Sequence, residues 1–235
     1  MTPKFDRSLL PAAPHFQFEI ALWEQGVSIV AGIDEAGRGA LAGPVAAGAL
    51  VFPADPSLIL LLDGVRDSKQ MTPAARERWA ERLKSLCISW GVGFASAQEI
   101  DKLGIVPATR LAAQRAVMGL AVQPGHLLID YLELPSIPIP QTPLVKGDSR
   151  SLSIAAASIL AKTGRDALLC ELESQYPGYS LAQHKGYGTA AHLNALERLG
   201  ASPIHRSSFK PRRLVVDITK DGSPEKSQSI TAETR

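Results

Sequence analysis

Cysteine is scarce. The 235 residues hold two, Cys87 and Cys170, each inside an apolar or helical pattern. No disulfide framework is visible, and buried free thiols in a reducing compartment are the expectation. Long hydrophobic runs are absent, so no segment spans a bilayer, and the N-terminus lacks the basic-then-apolar pattern of a signal peptide. The default location is therefore cytoplasmic, with no membrane partner. Charge of one sign is not in excess either: the net formal charge is +2. Whole-chain charge thus announces no nucleic-acid partner, and any basic footprint must be local. Internal repeats are missing. His184, His192 and His205 lack zinc-ligand spacing. The glycines of Gly37-x-Gly39-x-x-x-Gly43 do not match a dinucleotide fingerprint, and acids just before them would repel a pyrophosphate. What remains is a chain that is 45% hydrophobic, enough for one domain with a full core.

The organising stretch runs from Gly32 to Pro44, Gly-Ile-Asp-Glu-Ala-Gly-Arg-Gly-Ala-Leu-Ala-Gly-Pro. Short apolar runs, Val27 to Ile33 and Val45 to Phe52, enter and leave it, and both read as buried strands. Asp34 and Glu35 thus stand at a strand end. Neighbours on a strand point to opposite faces, so both reach one site only if the strand ends or twists there. Ionised carboxylates in such a place are costly unless paired or bound to metal, and hard oxygen ligands suit Mg²⁺ or Mn²⁺. Taken alone, the two acids read equally well as a solvated turn.

Leu127 to Asp130 repeats the pattern, an apolar run ending in an acid. Asp148 precedes a long helix, about Ser151 to Ser174, where an N-cap is an equal reading of it alone. Elsewhere, Asp67-Ser68-Lys69 forms a polar connection, and Thr72 with Pro73 opens a helix carrying Trp79 and Leu83 inward. Lys69 by itself reads as a solvated lysine. Ile88 to Phe94 alternates like a half-buried antiparallel strand. Pro107 to Val122 reads as a helix whose Arg110 and Arg115 are a solvated face, the better reading of each alone, or part of a nucleic-acid surface. Pro135 to Pro143 cannot be regular structure, and Leu144-Val145 forms a short edge strand. Arg165 and Asp166 read as an ion pair or a helix-surface feature, and Glu133 as surface. Tyr187, between glycines, reads as an exposed aromatic able to stack on a sugar or base, with a core-edge tyrosine as the alternative. A helix from Thr189 to Leu199 is stopped by Gly200. His205, Arg206, Lys210, Arg212 and Arg213 form a basic cluster suited to phosphates. The first 25 residues, proline-rich and then apolar, are an extension that packs a short piece on the domain, and the polar end from Leu214 is expected to be disordered.

Five segments in order carry a family likeness: Gly32 to Gly39 with Leu41 to Val45; Asp67-Ser68-Lys69 with Met71-Thr72; Lys146-Gly147-Asp148 leading into Ile154 to Lys162; His184 to Thr189; and His205 to Phe209. Over residues 27 to 210 the chain resembles ribonuclease HII, the type 2 ribonuclease H family. The alternating strands and helices argue an α/β fold. The resemblance makes it ribonuclease H-like, a mixed sheet flanked by helices with a helical C-terminal part. It implies an extension over 1–26, a catalytic domain over 27–213 and a tail over 214–235. It also implies an endonuclease that cuts the RNA strand of RNA/DNA hybrids and incises 5′ to ribonucleotides embedded in duplex DNA. Those duplexes are the expected partners of a monomeric enzyme serving primer or ribonucleotide removal.

Four acids from distant parts of the chain repel unless divalent cations neutralise them, and two metals about 4 Å apart suit phosphodiester hydrolysis. By resemblance Asp34 and Asp130 are metal bridges or ligands, Glu35 a ligand of one ion, and Asp148 a ligand or orienter of the attacking water. Gly37, Arg38 and Gly39 contact the 2′-hydroxyl, the one handle that tells ribose from deoxyribose. Tyr187 packs nearby, and Ser68 and Lys69 lie on the phosphate side. Two positions depart from the family: Tyr131 stands where glycine is usual, and Ala40 where proline is common, a change expected to loosen the turn. Rival readings are a small-phosphate hydrolase using the same acids and a hybrid-duplex binder with an inactive cluster. The intact acids speak against the second.

Overall fold

The computed structural model describes residue 6 and residues 10–209. Lys210, Arg212, Arg213 and the polar end from Leu214 lie outside the described residues. Five strands make one mixed sheet in the order β3-β2-β1-β4-β5. β1 (Val30–Ala36) pairs antiparallel with β2 (Val45–Val51), and β2 with β3 (Ser89–Ala95). On the other side β1 pairs parallel with β4 (His126–Asp130), which pairs parallel with β5 (Gln141–Leu144). Helices cover both faces, which is why β2 is buried at all seven positions rather than alternating.

Residue parity along the strands assigns the faces. Ala31, Ile33, Leu127 and Ile129 pack with Ala108, Ala112 and Ala116 of α4 (Ile105–Met118). Val30 and Leu128 pack with Ile154 of α5 (Leu152–Gln175). Asp34 and Asp130 share parity with Val30 and Leu128, so both belong to the α5 face. This helix rides on the sheet unusually closely. A Cβ on Gly32 would stand 2.1 Å from the Ser153 carbonyl carbon, and one on Gly48 would stand 2.3 Å from the Ala157 oxygen. Only glycine permits that approach. It brings the first turn of α5, and the segment ahead of it, down beside β1.

The remaining helices complete the layers. α1 (Gln17–Trp23) and α2 (Pro73–Leu86) join Phe16, Leu83, Ala155 and Ile159 in a second cluster on the α5 side. The expected packing of the N-terminal apolar piece is thus observed, with Phe16 against Trp23 and Phe52 at ring separations of 5.4 and 5.5 Å. α6 (Leu181–His184) and α7 (Ala190–Leu199) pack with Leu169 of α5 and Ala42. That is the helical C-terminal part. Among the described residues, no helix is long and apolar enough to cross a membrane.

Four boundaries differ from expectation. β1 begins at Val30 and runs on to Ala36, so both acids lie within it. The helix expected from Pro107 to Val122 spans Ile105–Met118, with proline in its first turn, where its missing N–H is no loss. α3 (Ala97–Leu103) was not expected, although Ser96 and Glu99 bond reciprocally as a capping box. The proline-rich stretch is regular at its end: Pro143 sits in β5, the sheet's edge, and is exposed there.

Candidate active site

β1 and β4 run in register, Ile33 beside Ile129, so Asp34 and Asp130 fall side by side one step further on. A 3-10 turn, Gly147–Ser149, carries Asp148 in just ahead of α5. Asp34, Asp130 and Asp148 each offer an oxygen, and these atoms all lie within 4.8 Å of one another. Three acids predicted from separate segments therefore meet. Asp34 and Asp148 are each only 2% exposed. The Gly147 N–H donates to Asp130 Oδ1 at 2.7 Å, tying two of the segments together.

Electrostatics identify what the cluster needs. Burial, then the charges of Glu35 and Asp130, push the Asp34 carboxyl well above its ordinary range. Burial and the Asp148 carboxylate push Asp130 up to about 6. Asp34 Oδ1 accepts from the Glu35 N–H at 2.7 Å, but its buried Oδ2 has no hydrogen-bond partner. A buried carboxylate oxygen without a donor, facing two more carboxylates, is the donor set of a hard divalent cation.

Glu35 is not in the triad. It follows Asp34 on a continuing strand, so alternation turns it away, and Arg38 Nη1 approaches its Oε1 at 3.3 Å. Its charge still reaches Asp34 and Asp130. Lys69 approaches from the other side, with Nζ 3.5 Å from Asp148 Oδ2 and 3.9 Å from Asp67 Oδ1. Partial burial lowers its pKa, but Asp34, Asp67 and Asp148 outweigh that and raise it. Ser68 is buried, its N–H on Ser158 Oγ and its carbonyl on Arg76.

The loop after β1 is held by arginines. Gly37 has φ +88°, and the space a Cβ would take is filled by Arg165, whose Nε would be 2.0 Å away. The free side of Gly37 is thus used by the protein itself. Gly39 is exposed with nothing within 4 Å of a Cβ position, so it is the glycine whose backbone stays open. Arg165 donates to the carbonyls of Pro44, Ala42 and Lys185 at 2.8, 3.0 and 2.9 Å. Arg206 donates to those of Gly43, Arg38 and Gly37 at 3.0, 2.8 and 2.7 Å. Three sequence readings are corrected here. Arg165 makes no ion pair with Asp166, which instead pairs with Lys162 and Arg76 at 2.6 and 3.5 Å. Arg206 and His205 are buried and spent on structure, so they are not phosphate ligands. Nor does Ala40 loosen the turn, since its N–H bonds to the Gly37 carbonyl, a bond proline cannot make. Arg115 stays solvated, as expected, and forms a bidentate surface pair with Glu99.

Tyr187 is half-buried rather than freely exposed. Lys162 and Arg165 lie 5.5 Å from its ring centre. The ring borders a cavity of about 600 Å³ with Arg76, Lys162, Asp166 and Lys185. The preceding carbonyl, Gly186, accepts from the N–H groups of Leu41 and Ala42, which docks the Tyr187 loop on the Gly37–Gly39 loop. Sequence reasoning missed the clamping role of Arg165. Its signal was periodicity, for Ala161 and Leu169, four residues either side, are both fully buried.

Comparison with known proteins agrees with this geometry. The family model described as Ribonuclease HII matches residues 31–212. A ribonuclease HII of Dehalococcoides mccartyi is 52% identical over 215 residues, covering 89% of this chain and 100% of that one. One from an Anaeromyxobacter species is 53% identical over 197 residues, covering 84% of this chain and 61% of the relative. Among solved structures, ribonuclease H2 from Pyrococcus horikoshii OT3 superposes with a TM-score of 0.64 at 26% identity, covering 77% of this chain and 94% of that one.

Proposed function

Because the chain belongs to the ribonuclease HII family and is a metal-dependent ribonuclease, we propose that it hydrolyses the RNA strand of RNA/DNA hybrids and incises duplex DNA 5′ to embedded ribonucleotides. Its products carry 3′-hydroxyl and 5′-phosphate ends, and its role is removal of RNA primers or misincorporated ribonucleotides. The observation that supports this best is the triad of buried Asp34 and Asp148 with half-buried Asp130, in which one carboxylate oxygen lacks any donor. The catalytic unit is residues 27–213.

Asp34, Asp130 and Asp148 hold the divalent cations, Mg²⁺ or Mn²⁺, two with substrate bound. Bound there, the cations supply a deprotonated water at neutral pH and charge stabilisation for the leaving oxygen. Asp34 and Asp130, fixed by paired strands, set the positions of the ligand oxygens. Asp148 orients the attacking water while Lys69 offsets its charge and faces the phosphate chain. Glu35 completes the acidic set from the edge, and Arg38 balances it. The open backbone at Gly39 accepts the close approach of a ribose, and the Tyr187 ring packs against the sugar. Ser68 reaches the phosphate side only through its neighbours.

The deciding assay uses a labelled duplex with one ribonucleotide, in Mg²⁺, Mn²⁺ or chelator. Metal-dependent nicking 5′ to the ribonucleotide is expected. Asp34→Asn should lose cleavage by roughly a thousandfold or more, since it removes a metal ligand, while its melting temperature in chelator stays at or above that of the wild type. Cleavage of a small phosphate ester without cleavage of nucleic acid would replace this reading with the small-phosphate hydrolase.

A further inference from the structure

Behind Tyr187 lies a set of three imidazoles that the reaction does not use. His192 is fully buried, and His184 and His205 are each 9% exposed. His184 stacks on His192 with ring centres 4.3 Å apart and planes 15° apart. His192 Nε2 lies 3.0 Å from His205 Nε2.

Backbone donors fix the tautomer of two rings, and that of the third follows. The Ser202 N–H donates to His205 Nδ1 at 3.0 Å, so that nitrogen is bare and the ring proton is on Nε2. His205 Nε2–H then donates to His192 Nε2, which must be bare. His192 therefore carries its proton on Nδ1, and Nδ1 faces the Tyr187 carbonyl at 3.0 Å. For His184, the Gly186 N–H donates to Nδ1 at 3.1 Å, leaving Nε2–H for the Tyr179 carbonyl at 2.6 Å. Each ring bond is thus accounted for by a single N–H, on Nε2 in His205 and on Nδ1 in His192. The direction of donation runs one way, from Ser202 through His205 and His192 to Tyr187.

The chain ends where position counts. The Tyr187 N–H donates to the His184 carbonyl at 3.0 Å, and its own carbonyl takes the His192 proton. The Tyr187 N–H thus meets a backbone carbonyl, and its own carbonyl is shared between the His192 imidazole and the Thr189 N–H at 2.8 Å, while the ring faces the cavity. Glycine on each side lets the backbone turn freely, so the place of Tyr187 depends on the bonds that pin this loop, and the His192 bond is the one a side chain supplies at Tyr187 itself. Resting on the function proposed above, we propose that His205 and His192 form a one-way hydrogen-bond relay that positions Tyr187 against the ribose of the target nucleotide. They are positioning residues, since neither touches substrate.

The test uses the full chain and the duplex with one ribonucleotide. His192→Phe keeps a ring in the stack and removes the donor, whereas His192→Asn keeps a side-chain N–H near the Nδ1 position. His192→Phe should lower kcat roughly ten- to a hundredfold, the effect of misplacing a reacting geometry, with duplex affinity in chelator unchanged and most of the loss recovered in His192→Asn. In a Tyr187→Ala background the phenylalanine should cost nothing further, because groups acting as a unit are not additive. A folded His192→Phe with wild-type kcat overturns the relay, as does a loss that adds fully to that of Tyr187→Ala. If the phenylalanine variant does not fold, nitrogen-resolved NMR of the wild-type imidazoles decides. A proton on His192 Nδ1 and on His205 Nε2 supports the relay, and any other tautomer at either ring overturns it. A wild type that cuts no ribonucleotide-containing substrate overturns the endonuclease reading itself, and that failure is seen before any substitution is made.

Discussion

Tyr131 holds φ at +58° directly after Asp130, and its side chain is 71% exposed. The left-handed region costs a non-glycine residue about 1 kcal/mol, and here the chain is pinned into it by Tyr131 N–H to the Leu144 carbonyl and Leu132 N–H to the Asp130 carbonyl. Tyr131→Gly should therefore stabilise the fold, by up to about 1 kcal/mol once the looser unfolded chain is counted. A thermal melt checks it, and a lower melting temperature would mean the ring makes more contact than its exposure allows. Lys69 is the other telling residue. Lys69→Ala should weaken duplex affinity and make its logarithmic dependence on salt shallower by about one, as loss of one phosphate contact requires. An unchanged binding curve would return Lys69 to service of Asp148 alone. The conformational demand at position 131 was visible in the sequence as a departure from glycine. The exclusion of Glu35 from the triad followed from strand parity once β1 was known to continue to Ala36. The partners of Arg165 and Arg206 were not visible, because they are carbonyls, which every residue carries and no sequence pattern marks; periodicity signals only that Arg165 is buried.

At the scale of elements, the helix that carries chemistry is the one placed by glycines. Gly32 and Gly48 let α5 sink onto the sheet, so the turn ahead of it delivers Asp148 to the ends of β1 and β4. Strand ends with acids were readable from two apolar runs, yet their adjacency needed the parallel register, which is a property of pairing. α3 was overlooked although Ser96 and Glu99 spell its cap, and β5 was hidden by its proline. α7 brings a titration with it. Burial holds His192 near 4 and also pushes His205 down, while an unfolded histidine titrates near 6.5. Between those values the unfolded chain binds more protons, so stability falls as pH drops from about 6.5 toward 4. For His192 alone the full swing is roughly 3 kcal/mol. Melting curves across that range should show it as a steeper acid loss in the wild type than in His192→Phe; parallel curves would contradict the buried neutral ring.

The whole molecule carries an imbalance of charge at its centre. The folded Asp130 carboxyl, near 6 rather than 3.8, binds more protons than the unfolded one. Without metal it therefore costs stability as pH rises through that window. A divalent cation reverses the cost, because it binds the folded state alone. Mn²⁺ at a hundredfold excess over its Kd should add about 2.7 kcal/mol. The rise in melting temperature should shrink as pH falls below about 6, where protons compete for Asp130, and should largely vanish in Asp34→Asn. An equal rise in that variant would place the ion elsewhere. The opposite imbalance lies under the loops. Arg165 and Arg206 are buried, each bonded to three carbonyls and, among the described residues, paired with no carboxylate. Peptide dipoles solvate a guanidinium without cancelling it, and burial lowers Arg206 only to about 9. Two positive charges are thereby sealed beneath the loops, and the carboxylates whose charge reaches them, Asp166 for Arg165 and Asp101 for Arg206, act from beyond ion-pairing distance. That distance leaves part of each charge uncompensated, so an anion approaching the loops would meet a surface already biased in its favour.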